Sequence, residues 1–258
     1  MKRKISLPLF VALGALHLTV THSKAVDPLL DIDFRKDIPA ETSGKVKTAI
    51  EPFEKGKSEP VFQEGEGGGM VTFTPTAWLG GGLRVRGVEG PLALAEQEDE
   101  ISVAAWVKLA ASPNKGKQTV VGNLDDTEQS GWIFGVYPDG SLFFYWTRPE
   151  AAATLRKTLQ VSPEGEWHHI AMVWKNSEDK GLSFYVDGLP VEPLSGDGRV
   201  VYSKGSTPIP LGDAPITVGA TTNGRFPFPG SIRDIKLFDQ ALSAEEVFQL
   251  SQVGAGAQ

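Results

Sequence analysis

The sequence contains no cysteine and few histidines, and these two shortages exclude several kinds of enzyme. Only two of its four histidines, His168 and His169, lie beyond the first 25 residues. A Cys–His catalytic pair and a zinc site built from separate histidines are therefore excluded. There is no Gly-x-Ser-x-Gly motif, and no Gly-Lys-Ser/Thr follows the glycine-rich run 65–69, so this run is not a phosphate-binding loop. Without disulfides, the fold depends on core burial or bound ions.

Basic residues are also scarce. The 25 Lys and Arg are outnumbered by 32 Asp and Glu. Four of those bases and no acid lie in residues 1–25, so the rest of the chain has a formal net charge of −11. Such a charge disfavours nucleic acids and anionic lipid surfaces as partners.

Beyond its N-terminus, the sequence lacks an apolar run that could span a membrane, for which about 20 residues are needed. At the N-terminus, basic residues 2–4 precede an apolar stretch over Ile5–Val20, and small residues at 23 and 25 suit a cleavage site. We therefore predict a signal peptide over residues 1–25, with an uncleaved anchor as the alternative. The mature protein, residues 26–258, is expected to be secreted, periplasmic or at the cell surface, without membrane insertion.

What the sequence does contain is a series of short strands separated by turns. Runs rich in aromatic and β-branched residues, bounded by turn-forming residues, predict strands, and Asp187-Gly188 is typical of a tight hairpin. The predicted strands are Leu29–Phe34, Met70–Phe73, Leu83–Val85, Ile101–Leu109, Gln118–Gly122, Gly131–Tyr137, Ser141–Thr147, Thr154–Val161, Trp167–Lys175, Leu182–Val186, Ile216–Ala220 and Gly230–Phe238. Between Phe34 and residue 65 we predict no further strand, because that sequence is turn-rich and charged. The spacing indicates an all-β sandwich or barrel.

One short helix is predicted near the C-terminus, over Ala244–Leu250. Ser243 is a favourable N-cap, and Glu246 stands three residues later as its capping-box partner. Leu242 and Val247 have the spacing of a hydrophobic staple.

Five segments, in this order, resemble the laminin G-like domains of the concanavalin A-like lectin/glucanase superfamily. They are Ile101–Lys108, Trp167–Ala171, Phe184–Gly188, Ile216–Gly219 and the block Gly230–Phe238 with Ala241–Val247. The resemblance is good over residues 83–250 and loose over 29–82. It implies a two-sheet antiparallel jelly-roll sandwich with a short C-terminal helix, formed by residues 26–258 as a single domain.

Glucanases of this superfamily carry a Glu-x-Asp-x-x-Glu run on one strand. The nearest candidate here, the acidic run 96–100, has a different spacing and precedes the strand that begins at Ile101. We therefore expect no enzymatic activity. A diverged polysaccharide hydrolase or lyase and a purely structural accessory domain are the alternatives.

The resemblance also implies a structural calcium ion, held by an Asp after the first-strand Phe and an Asp in the last strand. Arg35 and Arg233 stand at these two positions. Asp31, Asp33 and Asp234 lie nearby in sequence and are the remaining candidate ligands, because Ca²⁺ prefers carboxylate oxygen. We expect these acids to pair with the arginines in place of a metal, and we expect no cofactor.

A noncatalytic binding module that recognises a glycan or an extracellular or periplasmic protein is the leading hypothesis. Sugar recognition pairs aromatic faces with amide, carboxylate or guanidinium groups. The candidate ligand-binding residues are Asp125, Asp126, Tyr145, Trp146, Arg148, Asn223 and Arg225. In contrast, we expect Trp106, Trp167 and Trp174 to lie in the core. His168 and His169 are expected to be structural, with one of them hydrogen-bonded in or near the core.

Overall fold

Two antiparallel β-sheets pack face to face in a jelly-roll sandwich in the computed structural model. The structure describes residues 26–34, 41–43, 48–53, 58–65, 68–75, 78–87, 100–125, 127, 130–147, 154–160, 164–175, 181–192 and 214–253. In chain order the strands are β1 (Leu30–Asp33), β2 (Glu41–Ser43), β3 (Thr48–Phe53), β4 (Val61–Gly65), β5 (Gly68–Phe73), β6 (Gly82–Gly87), β7 (Glu100–Leu109), β8 (Gln118–Gly122), β9 (Gly131–Val136), β10 (Ser141–Thr147), β11 (Thr154–Gln160), β12 (Trp167–Lys175), β13 (Leu182–Val186), β14 (Leu189–Val191), β15 (Ile216–Val218) and β16 (Gly230–Phe238).

The nine-stranded sheet has the order β14-β13-β12-β7-β16-β1-β2, with β5 also pairing with β16 and β4 with β5. The seven-stranded sheet has the order β11-β10-β9-β8-β15-β6-β3. The first and last strands are neighbours, with Leu30 opposite Leu237.

The core lies between the two sheets because each strand turns alternate side chains inward. In β7, Val103, Ala105 and Val107 face inward and are buried. In β10, Phe144 and Trp146 do the same. The outer faces carry the residues of the opposite parity, and these faces hold the polar and aromatic features described below.

The helix, α1 (Ala244–Val253), covers part of the outer face of the nine-stranded sheet. Its capping box forms as predicted: the Ser243 amide donates to Glu246 Oε2 at 2.7 Å, and the Glu246 amide donates to Ser243 Oγ at 3.3 Å. Val247 is fully buried against Leu242 and Phe238. The helix is three residues longer than predicted and ends just before Gly254. No helix among the described residues is long and apolar enough to cross a membrane.

The prediction of no strand between Phe34 and residue 65 is wrong. The backbone there forms β2, β3 and β4, and the short β14 was also missed. β3 turns only Ile50 fully inward, and β4 has no fully buried residue. These strands are fixed by pairing with β6 and β5, which an apolar sequence pattern does not reveal.

Candidate functional site

The outer face of the seven-stranded sheet carries a cluster of aromatic side chains. Leu124, Ile133 and Phe143 are buried there, and Tyr145 and Phe226 pack against them while remaining half-buried. Tyr145 faces outward because its β10 neighbours Phe144 and Trp146 face the core. The sheet therefore presents aromatic rings on its outer surface, next to the loops at its edge.

The loop of residues 221–226 is tied to this face by three hydrogen bonds. The Thr119 amide donates to the Phe226 carbonyl at 2.8 Å. Thr222 Oγ1 donates to the Leu124 carbonyl at 3.2 Å. Asn223 Nδ2 donates to Thr127 Oγ1 at 3.1 Å, which joins this loop to the one that carries Asp125.

Two cations lie over the aromatic rings. Lys117 Nζ is 3.6 Å from the ring centroid of Tyr145 and 5.2 Å from that of Phe226. The Arg225 guanidinium carbon is 5.2 Å from the Phe226 centroid, and the Arg225 side chain is exposed. Cations at such distances are attracted to the ring faces.

Trp78 is the most exposed aromatic residue that the structure describes, at 73 % of its surface, and the sequence analysis missed it. Leu79 forms a β-bridge with Arg225, and the Gly80 amide donates to the Gly224 carbonyl at 2.9 Å. Trp78 is thus adjacent to the 221–226 loop. Its position outside any strand, between Pro75 and the glycine run 80–82, was the available signal.

We call the surface formed by these residues the rim surface. It consists of Trp78, Lys117, Asp125, Tyr145, Asn223, Arg225 and Phe226. Four predicted ligand-binding residues thereby meet on one face. Asp125 Oδ1 accepts a hydrogen bond from the Thr127 amide at 2.7 Å, so this carboxylate also stabilises its own turn.

Trp146 lies elsewhere. Its ring packs in the core, with centroids 5.2 Å from both Phe144 and Trp174. This placement corrects our expectation that the ring contributes to a ligand surface. Tyr145 and Trp146 are adjacent on one strand, so only one of them can face outward. Asp126 and Arg148 lie outside the described residues.

Comparison with known proteins identifies the fold family. A laminin G-type family model, described as concanavalin A-like lectin/glucanases superfamily, matches residues 87–248. The chain belongs to this superfamily.

Solved structures with the same fold include binding domains of botulinum neurotoxins. The serotype G binding domain is 13 % identical with a TM-score of 0.64, over 89 % of this chain and 52 % of that one. A structure of botulinum neurotoxin type C, which depends on interaction with two ganglioside molecules to enter cells, is 12 % identical with a TM-score of 0.61, over 88 % of this chain and 51 % of that one. This concanavalin A-like chain thus spans about half the length of these structures, and the likeness concerns the fold.

The two adjacent histidines of this concanavalin A-like domain have different surroundings. His168 Nδ1 is 2.8 Å from Asp187 Oδ2, and the His169 amide donates to Asp187 Oδ1 at 2.9 Å. The hydrogen bond that Asp187 accepts from His168 raises the pKa of His168. Burial lowers the pKa of His169 to about 4. The ring of the half-buried His168 is therefore bonded to Asp187, whereas the buried His169 is bonded to it through the backbone amide; a structural role for both histidines stays a prediction.

Two of the three tryptophans expected in the core lie on the outer face of the nine-stranded sheet. Trp106 is buried there at 3 % exposure, whereas Trp167 is only half-buried, so the prediction is wrong for Trp167. Trp174 is in the core, whereas Trp106 and Trp167 flank the buried guanidinium of Arg233, with centroids 5.1 and 4.5 Å from its carbon. Trp106 has the same strand parity as Ala104, which is in the cluster under α1.

One of the acids considered for calcium, Asp31, pairs with a lysine that the sequence analysis did not consider. Lys236 Nζ is 2.6 Å from Asp31 Oδ2. Burial raises the pKa of Asp234, with Asp31 and Asp33 adding to the shift and Lys236 opposing it. Within the described ranges, no group of three or more His, Asp or Glu side chains is arranged to hold a metal ion. Arg35 lies outside those ranges.

Glu100 is the one described member of the acidic run 96–100. Its carboxylate accepts from Lys175 Nζ at 2.8 Å and from the Ala241 amide at 3.0 Å. The hydrogen bond from Lys175 holds the pKa of Glu100 below its ordinary value. A general acid needs the opposite shift, so Glu100 anchors the segment before α1 rather than serving as a proton donor.

Proposed function

We propose that this protein is a noncatalytic module that binds carbohydrate through the rim surface. The observation that carries the proposal is the exposed Trp78 ring beside a loop that presents Asn223 and Arg225, with Tyr145 on the adjoining sheet. A tryptophan left in water at this degree of exposure loses the stabilisation that burial would give it, and exposed aromatic surface is typical of binding sites.

The polar groups around these rings have the chemistry that sugars require. A sugar ring offers an apolar face, which packs on Trp or Tyr, and hydroxyl groups, which bond to amide, carboxylate and guanidinium groups. Asn223, Arg225 and Asp125 supply all three types. The dependence of botulinum neurotoxin type C on gangliosides concerns a protein of the same fold and is consistent with a glycan ligand.

We further propose that residues 26–258 act as a single exported domain after removal of residues 1–25. The apolar N-terminal stretch, the small residues before position 26 and the excess of acids in the remainder support export. An extracellular or periplasmic protein is the alternative partner for the same surface.

Glycan-array binding with matched variants tests the proposal. Trp78→Ala should weaken binding to the recognised glycan by about tenfold or more, because it removes an exposed ring on which a sugar packs. Tyr145→Ala should weaken binding less, because Lys117 Nζ already lies 3.6 Å from the Tyr145 ring centroid. Phe248→Ala is the control, since Phe248 is also a partly exposed aromatic residue but lies on α1.

Three results would contradict the proposal: no bound glycan, equal binding by the Trp78→Ala variant, or an equal loss in Phe248→Ala. Capture of a protein partner that requires Trp78, without any glycan binding, would replace carbohydrate with protein as the ligand class.

A further inference from the structure

A second concave site lies on the other sheet. A pocket of about 120 Å³ opens on the outer face of the nine-stranded sheet, beside the C-terminal end of α1. It is lined by Ala104 and Trp106 of β7, His169 of β12, Asp234 and Lys236 of β16, and Leu250 and Val253 of α1. It shares no residue with the rim surface.

A β-bulge places Asp234 in this pocket. The β16–β7 register shifts between Arg233, which is opposite Trp106, and Lys236, which is opposite Ala104. Asp234 has a φ of 50°, a left-handed conformation that few residues other than glycine adopt. Bulges commonly redirect a side chain and are frequent beside functional sites. Here the bulge brings a carboxyl group to a position where burial raises its pKa.

His169 adds a polar ring to the wall of the pocket. It is 2 % exposed, its Nδ1 has no hydrogen-bond partner among the described residues, and its ring contacts Trp106 edge-on at 5.5 Å. Because burial lowers its pKa to about 4, the imidazole is neutral at pH 7 and has one donor and one acceptor nitrogen.

The charges in and beside the pocket nearly cancel. Asp31, Asp33 and Asp234 contribute three negative charges, whereas Lys236, bonded to Asp31 at 2.6 Å, and Arg233, stacked on Trp106 at 5.1 Å, contribute two positive charges. Neither a small anion nor an amine gains a large net attraction from this set. The lining instead combines hydrogen-bond donors, hydrogen-bond acceptors, an aromatic ring and two aliphatic side chains.

We propose that this pocket binds one neutral polyhydroxyl unit, a single sugar residue or a cyclic polyol. Hydroxyl groups donate to Asp234 and accept from Lys236, and the C–H face packs against Trp106 and the aliphatic side chains of Leu250 and Val253. The pocket is smaller than a cavity of about 150 Å³ that admits benzene, but it is open to solvent, so one edge of a six-membered ring enters it and the remaining hydroxyl groups stay in water. The site is independent of the rim surface.

Titration followed by NMR tests this site. The probes are D-glucose and myo-inositol, with glucosamine and glucuronate as charged analogues of similar size. The reporters are the side-chain signals of Trp106 and His169. We expect saturable shifts with at least one neutral probe and weaker binding of both charged analogues.

Two variants locate the binding. Asp234→Asn should lower the affinity for the neutral probe by about tenfold, because an amide accepts hydrogen bonds less strongly than a carboxylate. The variant should fold normally, because Asn tolerates the left-handed backbone. Val253→Trp should block the pocket, and its exposed position makes the change compatible with folding. Asp27→Asn is the matched control at an exposed aspartate and should bind as the unmodified protein does.

The proposal is overturned if neither neutral probe gives saturable shifts, if a charged analogue binds more tightly, or if both pocket variants bind normally. Trp106 and His169 report only on this pocket, so a failure of glycan binding at the rim surface leaves the titration result standing.

Discussion

Two arginines on opposite outer faces of the sandwich make the same kind of contact in different surroundings. Arg225 lies 5.2 Å from the centroid of Phe226 and is exposed. Arg233 lies 5.1 and 4.5 Å from the centroids of Trp106 and Trp167 and is 1 % exposed. The ring contact is similar, so burial distinguishes the two arginines. Arg233 contributes to the packing of the fold, whereas Arg225 is available to a ligand.

The difference extends to the two faces as a whole. On the nine-stranded sheet, α1 covers an apolar patch that includes Ala104, Ala171 and Phe238, and polar groups are buried beside it. On the seven-stranded sheet, the 221–226 loop covers only part of the aromatic cluster and leaves Tyr145 half-buried. One outer face is therefore buried over much of its area beneath α1, and the other leaves aromatic rings partly exposed to solvent.

Substituting each arginine by alanine tests this comparison with the largest expected effect. Arg233→Ala should lower the free energy of unfolding by about 3 kcal/mol, because it removes a large buried side chain and leaves a void between two indole rings. Arg225→Ala should change it by less than about 0.5 kcal/mol, as exposed substitutions usually do. Urea unfolding monitored by tryptophan fluorescence measures both values. Equal losses in the two variants would show that the two faces do not differ in this way.

Most of the fold was predictable from sequence because most strands bury one complete face. Where burial is slight, as in β3 and β4, the apolar pattern is weak and the strands depend on pairing partners far away in sequence. The outer position of Trp106 could have been predicted from the sequence, because alternate residues of a strand face the same side and Trp106 alternates with the polar Ser102 and Lys108.

The candidate site was partly predictable. Asp125, Asn223 and Arg225 stand out as polar loop residues, and the structure brings them near Tyr145. Trp78 was missed because nothing in a single sequence shows that the loop after β5 bridges to the loop after β15. The pocket beside α1 was not predictable either, since the bulge at Asp234 arises from a register shift between strands.

The pH dependence of stability tests the burial of the polar groups on the outer face of the nine-stranded sheet. The pKa of His169 is about 4 in the folded protein, owing mainly to burial, against 6.5 for an unperturbed histidine. Protonation therefore favours the unfolded chain, and the stabilisation present above pH 6.5 is lost as the pH falls toward 4. When the pH falls from 8 to 5, the titration of His169 should lower the free energy of unfolding by about 2 kcal/mol. His169→Phe should remove that part of the pH dependence.

His168 provides a control of opposite sign. Its pKa is raised by the hydrogen bond with Asp187, so its contribution is present below pH 6.5 and is lost as the pH rises through the folded-state value. His168→Gln should therefore destabilise the protein most in mild acid. His169→Phe should have its smallest destabilising effect in mild acid. Parallel pH profiles for the two variants would argue against the burial of His169.

The smallest expected effect concerns how each face is held in place. Ser243 caps α1, and Ser243→Ala should lower the free energy of unfolding by about 1 kcal/mol. Asn223 makes an exposed hydrogen bond to Thr127. Asn223→Ala should therefore lower the free energy of unfolding by less than about half the loss expected for Ser243→Ala. Hydrogen exchange gives the sharper readout. Loss of the Ser243 cap should speed exchange of amides in α1 and leave β8 unchanged, because the described contacts of the helix are with the nine-stranded sheet. Faster exchange in β8 would instead mean that the two faces unfold together.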